Sequence, residues 1–293
     1  MRLCVGAASR RVVEEAANLR VAQVVASRRQ AGETAPGYTG YTSATLAETV
    51  RKLSGGATQA VRDHGGPYQN GDPHDDWTAA LDADAGAGLD VLHLDVSNLP
   101  RNEQHAELAR LCKRYDGRAG IEVGGERDSQ DWLNTLLKSA LEACQPDAAV
   151  AAFGGRIWAD RQCGSLASAS RAAEITAFYA RSGVLAKAHN MDWAGGRQAY
   201  LLDGLYNVAP ELGNVEIDAW LRVLPHDHGA ALLRRAYETG AWQRWFGPGQ
   251  GTFFERSRAA LRYHLESPWC AAVLDRYDDG PVREAIRDAV TAG

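Results

Sequence analysis

No stretch of this 293-residue chain approaches about 18 uninterrupted apolar residues, so nothing in it reads as a bilayer-spanning helix. No basic cluster stands out and the net charge is -5, which argues against nucleic acid as a partner. Cysteine is sparse: Cys4, Cys112, Cys144, Cys163 and Cys270 are odd in number and widely spaced, with no CxxC pair to suggest a zinc knuckle or redox centre. The apolar run Leu3 to Ala8 is broken by Arg10 and Arg11 before it reaches secretory length, so no export signal is expected. These absences point to a reducing, cytoplasmic setting. No low-complexity linker divides the chain, and no repeat is visible beyond an alternation of short and long segments.

That alternation is the positive signal. Short apolar runs separated by stretches of helical period form the pattern of a parallel sheet with crossover helices. Eight strands are expected: Leu3 to Ala7, Ala22 to Ala26, Thr58 to Asp63, Asp90 to Val96, Gly120 to Gly124, Ala148 to Phe153, Val184 to His189 and Tyr206 to Ala209. Between them, Leu108, Leu111, Cys112 and Tyr115 share one face of a helix predicted over Glu103 to Tyr115, and Trp132, Leu133, Leu136, Leu137 and Leu141 share a face over Asp131 to Ala143. Eight units predict an α/β fold of the (β/α)8 TIM barrel type, with an open α/β sheet as the alternative. From about Pro225 the alternation gives way to helices, Ala230 to Tyr237, Gly240 to Phe246, Phe253 to Leu265 and Val282 to Val290. We therefore read residues 1–224 as barrel core and 225–293 as a C-terminal helical extension of the same domain. Trp242, Trp245 and Trp269 would pack this tail onto the barrel or form an oligomer interface.

The chemistry gathers at predicted strand ends. Asp63 and His64 close the third strand, and Gly65 and Gly66 permit a turn that lets both face the cavity. Asp63 would exchange a proton with a substrate oxygen, and His64 would offer a neutral imidazole to a divalent metal. In the fourth strand His93 and Asp95 share parity, while Leu92, Leu94 and Val96 take the other face. Glu122, Gly124 and Glu126 continue the inward pattern, and buried carboxylates need a partner or a metal. Lys187 shares parity with His189, which raises an amine mechanism in which a desolvated lysine attacks a ketone. The surrounding acids and imidazoles favour a metal instead: His64, Glu126 and His189 as an open site, with zinc first and manganese second. Gly154-Gly155-Arg156 would cradle an anion of the substrate. His74, His105, His226, His228 and His264 read as surface or capping groups.

With these residues in view, the sequence resembles the tagatose-bisphosphate aldolase class II non-catalytic subunit family, which includes sugar-phosphate 4-epimerases. The resemblance rests on Gly37-Tyr38-Thr39-Gly40 with Thr42, Asp63-His64-Gly65-Gly66-Pro67, His93-Leu94-Asp95-Val96-Ser97, Gly124-Gly125-Glu126, Ala188-His189-Asn190-Met191-Asp192 and Asn207-Val208-Ala209-Pro210. It departs from the family where Val61 and Arg62 replace two glycines and Gly65 replaces a leucine. What it implies is a metal-dependent aldol or retro-aldol reaction on a ketose or ketose phosphate. The alternatives are a 4-epimerase using the same bond cleavage, or a non-catalytic subunit that stabilises a partner aldolase. Asp63, Asp95, Glu122 and Lys187 are the catalytic candidates; His93, Asn190, Asn207 and Gly154 to Arg156 are the candidates for holding a sugar or sugar phosphate. A homo-oligomer is a further expectation.

Overall fold

A computed structural model describes residues 2–122, 130–144, 151–153, 186–188, 214–217 and 226–238. The chain opens with β1 (Arg2–Gly6), α1 (Arg10–Asn18) and β2 (Gln23–Ala26). Two short strands, β3 (Ala31–Gly32) and β4 (Tyr41–Thr42), form a separate parallel pair before α2 (Ser43–Ser54) and β5 (Gln59–Gly65). Then come α3 (Trp77–Gly86), β6 (Val91–Asp95), α4 (Arg101–Arg114), β7 (Ala119–Glu122) and α5 (Gln130–Ala143). The remaining described elements are β8 (Ala151–Phe153), β9 (Ala186–Ala188), β10 (Asn214–Ile217) and α6 (His226–Glu238).

Helix starts follow local chemistry. Ser9 caps α1 by accepting from the Val12 amide, Asp76 caps α3 by accepting from Ala79, and Thr42 with Thr45 forms a reciprocal capping box at α2. Gly55 ends α2 in the left-handed region at φ 65°.

The main sheet has eight strands, all parallel, in the order β7-β6-β5-β2-β1-β10-β9-β8. Its two end strands, β7 and β8, also contact one another, so the order runs round in a ring. This is the predicted (β/α)8 barrel. The eighth strand sits later than expected. Tyr206 to Ala209 lie outside the described residues, and the strand between β9 and β1 is Asn214–Ile217, whose period-2 sequence is only half apolar. The first helix of the expected tail, α6, packs against α1; Leu233 is buried and Arg234 reaches Glu15 at 2.8 Å. The other expected tail helices lie outside the described residues.

Strand alternation divides the core. Leu3, Val5, Val24, Ala26, Ala60, Leu92, Leu94 and Ile121 join the helices in one large apolar cluster, so they occupy the outer face of the sheet. Cys4, Val25, Val61 and Val91 form a separate cluster on the inner face. Gln23 and Gln59, in register at the strands' beginnings, hydrogen-bond across this interior at 3.0 Å. The barrel thus carries a polar floor, an apolar middle and, at its C-terminal rim, the acids and imidazoles.

Candidate active site

The rim chemistry depends on one irregularity in β5. Val61 and Arg62 pair in register with Val91 and Leu92, but the next pair is Gly65 with Leu94. Two residues, Asp63 and His64, therefore span the step that His93 spans on β6, which is the geometry of a β-bulge. His64 takes up the extra length at φ 50°, in the left-handed region. The expected strand end at Asp63 and His64 is instead a bulge, and β5 continues through it to Gly65. Beyond it the backbones of β5 and β6 approach so closely that a Cβ at Gly66 would lie 2.0 Å from the Asp95 carbonyl oxygen. Only glycine fits there.

The bulge sends the His64 ring across to the next strand. Its Nδ1 lies 2.7 Å from Asp95 Oδ2, and its Nε2 lies 3.8 Å from Asp63 Oδ2. Asp95 also accepts from the Ser97 amide through Oδ1 at 2.9 Å. Below, the buried His93 ring has Nδ1 3.7 Å from Asp63 Oδ1. Asp63, His93 and Asp95 are buried, whereas the His64 side chain is 45% exposed. Three ionisable groups are thus held inside the rim and one faces the mouth. With a proton on Nδ1, donated to Asp95, His64 presents Nε2 as a proton acceptor toward the opening.

Of the other predicted catalytic residues, Glu122 pairs in register with Asp95 on the neighbouring strand. Lys187 pairs with Ala152 on β8 and with Asn214 on β10, and Asn214 pairs with Arg2, two residues before Cys4. Lys187 therefore shares the parity of the inner-face residue Cys4. Glu126, Gly154, Gly155, Arg156, His189, Asn190 and Asn207 lie outside the described residues.

Sequence reasoning missed three residues here. Gln69 donates to the Asp95 carbonyl at 3.4 Å and to Ser97 Oγ at 3.3 Å, from a loop with no periodic signal. Glu216 falls in register with Cys4, and the alternation Asn-Val-Glu-Ile was its signal. Arg62, read only as a departure from a family pattern, is wholly buried.

The expected metal, zinc or manganese, is not upheld. Among the described residues no group of three or more His, Cys, Asp or Glu could hold a metal ion. Asp95, the acid nearest His64, is committed to hydrogen bonds with the imidazole and the Ser97 amide.

No family model matches the chain, and no curated protein matches it. Solved structures do. The YdjI aldolase from Escherichia coli K12 superposes with a TM-score of 0.51 at 11% identity, covering 84% of this chain and 91% of that one. A putative dihydrodipicolinate synthetase from Pseudomonas aeruginosa gives a TM-score of 0.50 at 11% identity, covering 98% of this chain and 89% of that one. At this identity the likeness establishes the barrel fold.

These findings overturn the resemblance to the tagatose-bisphosphate aldolase class II family. No family model matches the chain, and the barrel it is similar to over 98% of its length is that of a putative dihydrodipicolinate synthetase. The Asp-His-Gly-Gly segment that carried the resemblance has a local cause, since the bulge and the close β5–β6 approach demand glycine after His64. The metal-dependent aldolase, the 4-epimerase and the non-catalytic subunit fall with it.

Proposed function

We propose that this chain is an aldolase-type lyase that breaks or forms the bond between the α and β carbons of a small oxo compound, without a metal. The observation that carries this reading is the His64–Asp95 contact at the barrel mouth, 2.7 Å from Nδ1 to a buried carboxylate, which with the proton on Nδ1 leaves Nε2 to accept one. The two solved structures similar to this chain, the YdjI aldolase and a putative dihydrodipicolinate synthetase, agree with it.

Such chemistry needs an electron sink, and Lys187 is the candidate. Lys52, Lys113 and Lys138 sit on helices α2, α4 and α5, whereas Lys187 sits on a barrel strand at an inner-face register position. In the proposed sequence, the neutral Lys187 amine adds to the substrate ketone and water leaves, giving a protonated imine. His64 Nε2 takes the proton from the hydroxyl on the β carbon. The Cα–Cβ bond then breaks, its electron pair moves into the imine as an enamine, and the β carbon departs as an aldehyde. Protonation of the enamine and hydrolysis of the imine return the amine. Asp95 keeps the imidazole oriented throughout. Asp63 lies beside both His64 and His93, and Glu122, at the register position next to Asp95, is the further candidate acid.

The test is reductive trapping. The purified chain is incubated with a panel of 2-oxo acids and ketoses, treated with borohydride, and weighed by intact-protein mass spectrometry. The expected result is a covalent adduct that maps to Lys187 and is absent from Lys187→Met. Turnover of a substrate with no trappable adduct, or an adduct on a helical lysine, rejects this role for Lys187.

A further inference from the structure

Arg62 stands in the last regular register pair before the bulge, opposite Leu92 on β6 and Ala26 on β2. Its side chain lies on the outer face, among the helices, and is completely buried. A buried guanidinium needs acceptors for its donors, and this one has four contacts. Nε donates to Asp84 Oδ2 at 2.7 Å, and Nη2 donates to Asp84 Oδ1 at 2.7 Å and to Ser43 Oγ at 2.8 Å. Nη1 donates to the Ala26 carbonyl at 3.0 Å. Ser43 completes the set, donating to Asp84 Oδ1 at 2.6 Å. One side chain therefore joins β5 to β2, to the first residue of α2 and to α3.

We infer that Arg62 is a positioning residue for the proposed site: it pins β5 immediately before the bulge, so that Asp63 and His64 are forced into one register step and the His64 ring is delivered to Asp95. Two features make it more than a structural ion pair. Its four contacts fix the strand at the one point where the regular ladder stops. Its aliphatic stem also occupies the space on the far side of the bulge, because a Cβ at Gly65 would sit 3.2 Å from Arg62 Cγ and 2.8 Å from Leu81 Cδ2. Arg62 and Gly65 are thus fitted to each other across the bulge, and Asp63 and His64 have no other step to occupy. The inference rests on the site reading above for its functional meaning, but its geometric content concerns the His64–Asp95 contact alone.

The experiment uses the full chain labelled with 15N in its histidine rings. A hydrogen-bonded Nδ1–H to Asp95 gives a downfield, slowly exchanging proton, assigned to His64 by its loss in His64→Asn. The test variant combines Arg62→Met with Asp84→Leu, since exchanging a buried ion pair for apolar side chains of similar size is often tolerated. With folding verified by near-UV circular dichroism, the expected result is loss of the His64 resonance, and a kcat at least tenfold lower at a KM within twofold for whichever oxo substrate is turned over. A wild-type His64 resonance in the folded double variant overturns the inference, whether or not the lyase reading stands. Should that variant fail to fold, Arg62→Lys, which keeps the charge but loses the forked contact, is read in the same way. A weakened or broadened resonance supports the inference and an unchanged one overturns it.

Discussion

His64 pays a conformational cost for its position. A non-glycine residue in the left-handed region is strained by about 1–3 kcal/mol, and here that strain coincides with the hydrogen bond to Asp95. Asparagine tolerates the same backbone region better than most residues and keeps an amide donor, but it offers no base. His64→Asn is therefore expected to hold stability within about 1 kcal/mol of wild type while lowering turnover by about 10²–10⁴-fold. Thermal melts and kcat on the trapped substrate check the two halves, and retention of wild-type turnover would remove His64 as the proton acceptor. That His93 and Asp95 share one face of β6 was legible in the sequence, because period-2 parity groups them and leaves leucines on the other face. That Asp63 and His64 share one step was not legible, since a bulge exists only relative to the neighbouring strand's register.

Helix α4 followed its apolar stripe as predicted, with Leu108, Leu111 and Cys112 buried and Tyr115 closing the C-terminus. How α4 is tied to α3 has no such signal. The Tyr115 hydroxyl shares its one proton between Asp82 Oδ1 at 2.9 Å and the Thr78 carbonyl at 3.2 Å, while Arg114 bridges to the same Asp82 at 2.6 Å. Such ties join residues from two segments and leave no periodic trace. They do have a pH signature. Burial, followed by the hydrogen bond to Asp82, pushes the Tyr115 phenol up from 10.0 to about 12. The folded state thus prefers the neutral phenol and binds more protons than the unfolded chain between those values, so stability is intact below pH 10 and falls as pH rises toward about 12. Urea midpoints measured across that interval are expected to decline, and the decline to be shallower in Tyr115→Phe. Parallel curves for the two proteins would show that the phenol does not titrate late. The short pair β3 and β4 went unread for a different reason: each strand has two residues, too few to show a period.

At the scale of the whole molecule, closure depends on a strand that the sequence placed too early. β10 is the hydrogen-bonded link between β1 and β9, and α6 behind it covers α1 through Leu233 and the Arg234–Glu15 ion pair. A parallel barrel has no free edge, and each strand exchanges backbone hydrogen bonds with two neighbours. Removing one strand exposes two edges and uncovers one helix at the same time. A chain ending at residue 213 lacks both β10 and α6, leaving Arg2 to Val5 without the partners that now run from Asn214 to Ile217. We expect that truncated chain to lose its cooperative thermal transition and its near-UV circular dichroism. Co-expression of residues 214–293 as a separate polypeptide should restore both, because the missing contacts are non-covalent. A truncated chain that melts cooperatively at the wild-type temperature would mean that the first seven strands of the ring are stable as an open sheet, and that β10 completes the mouth without holding the barrel together.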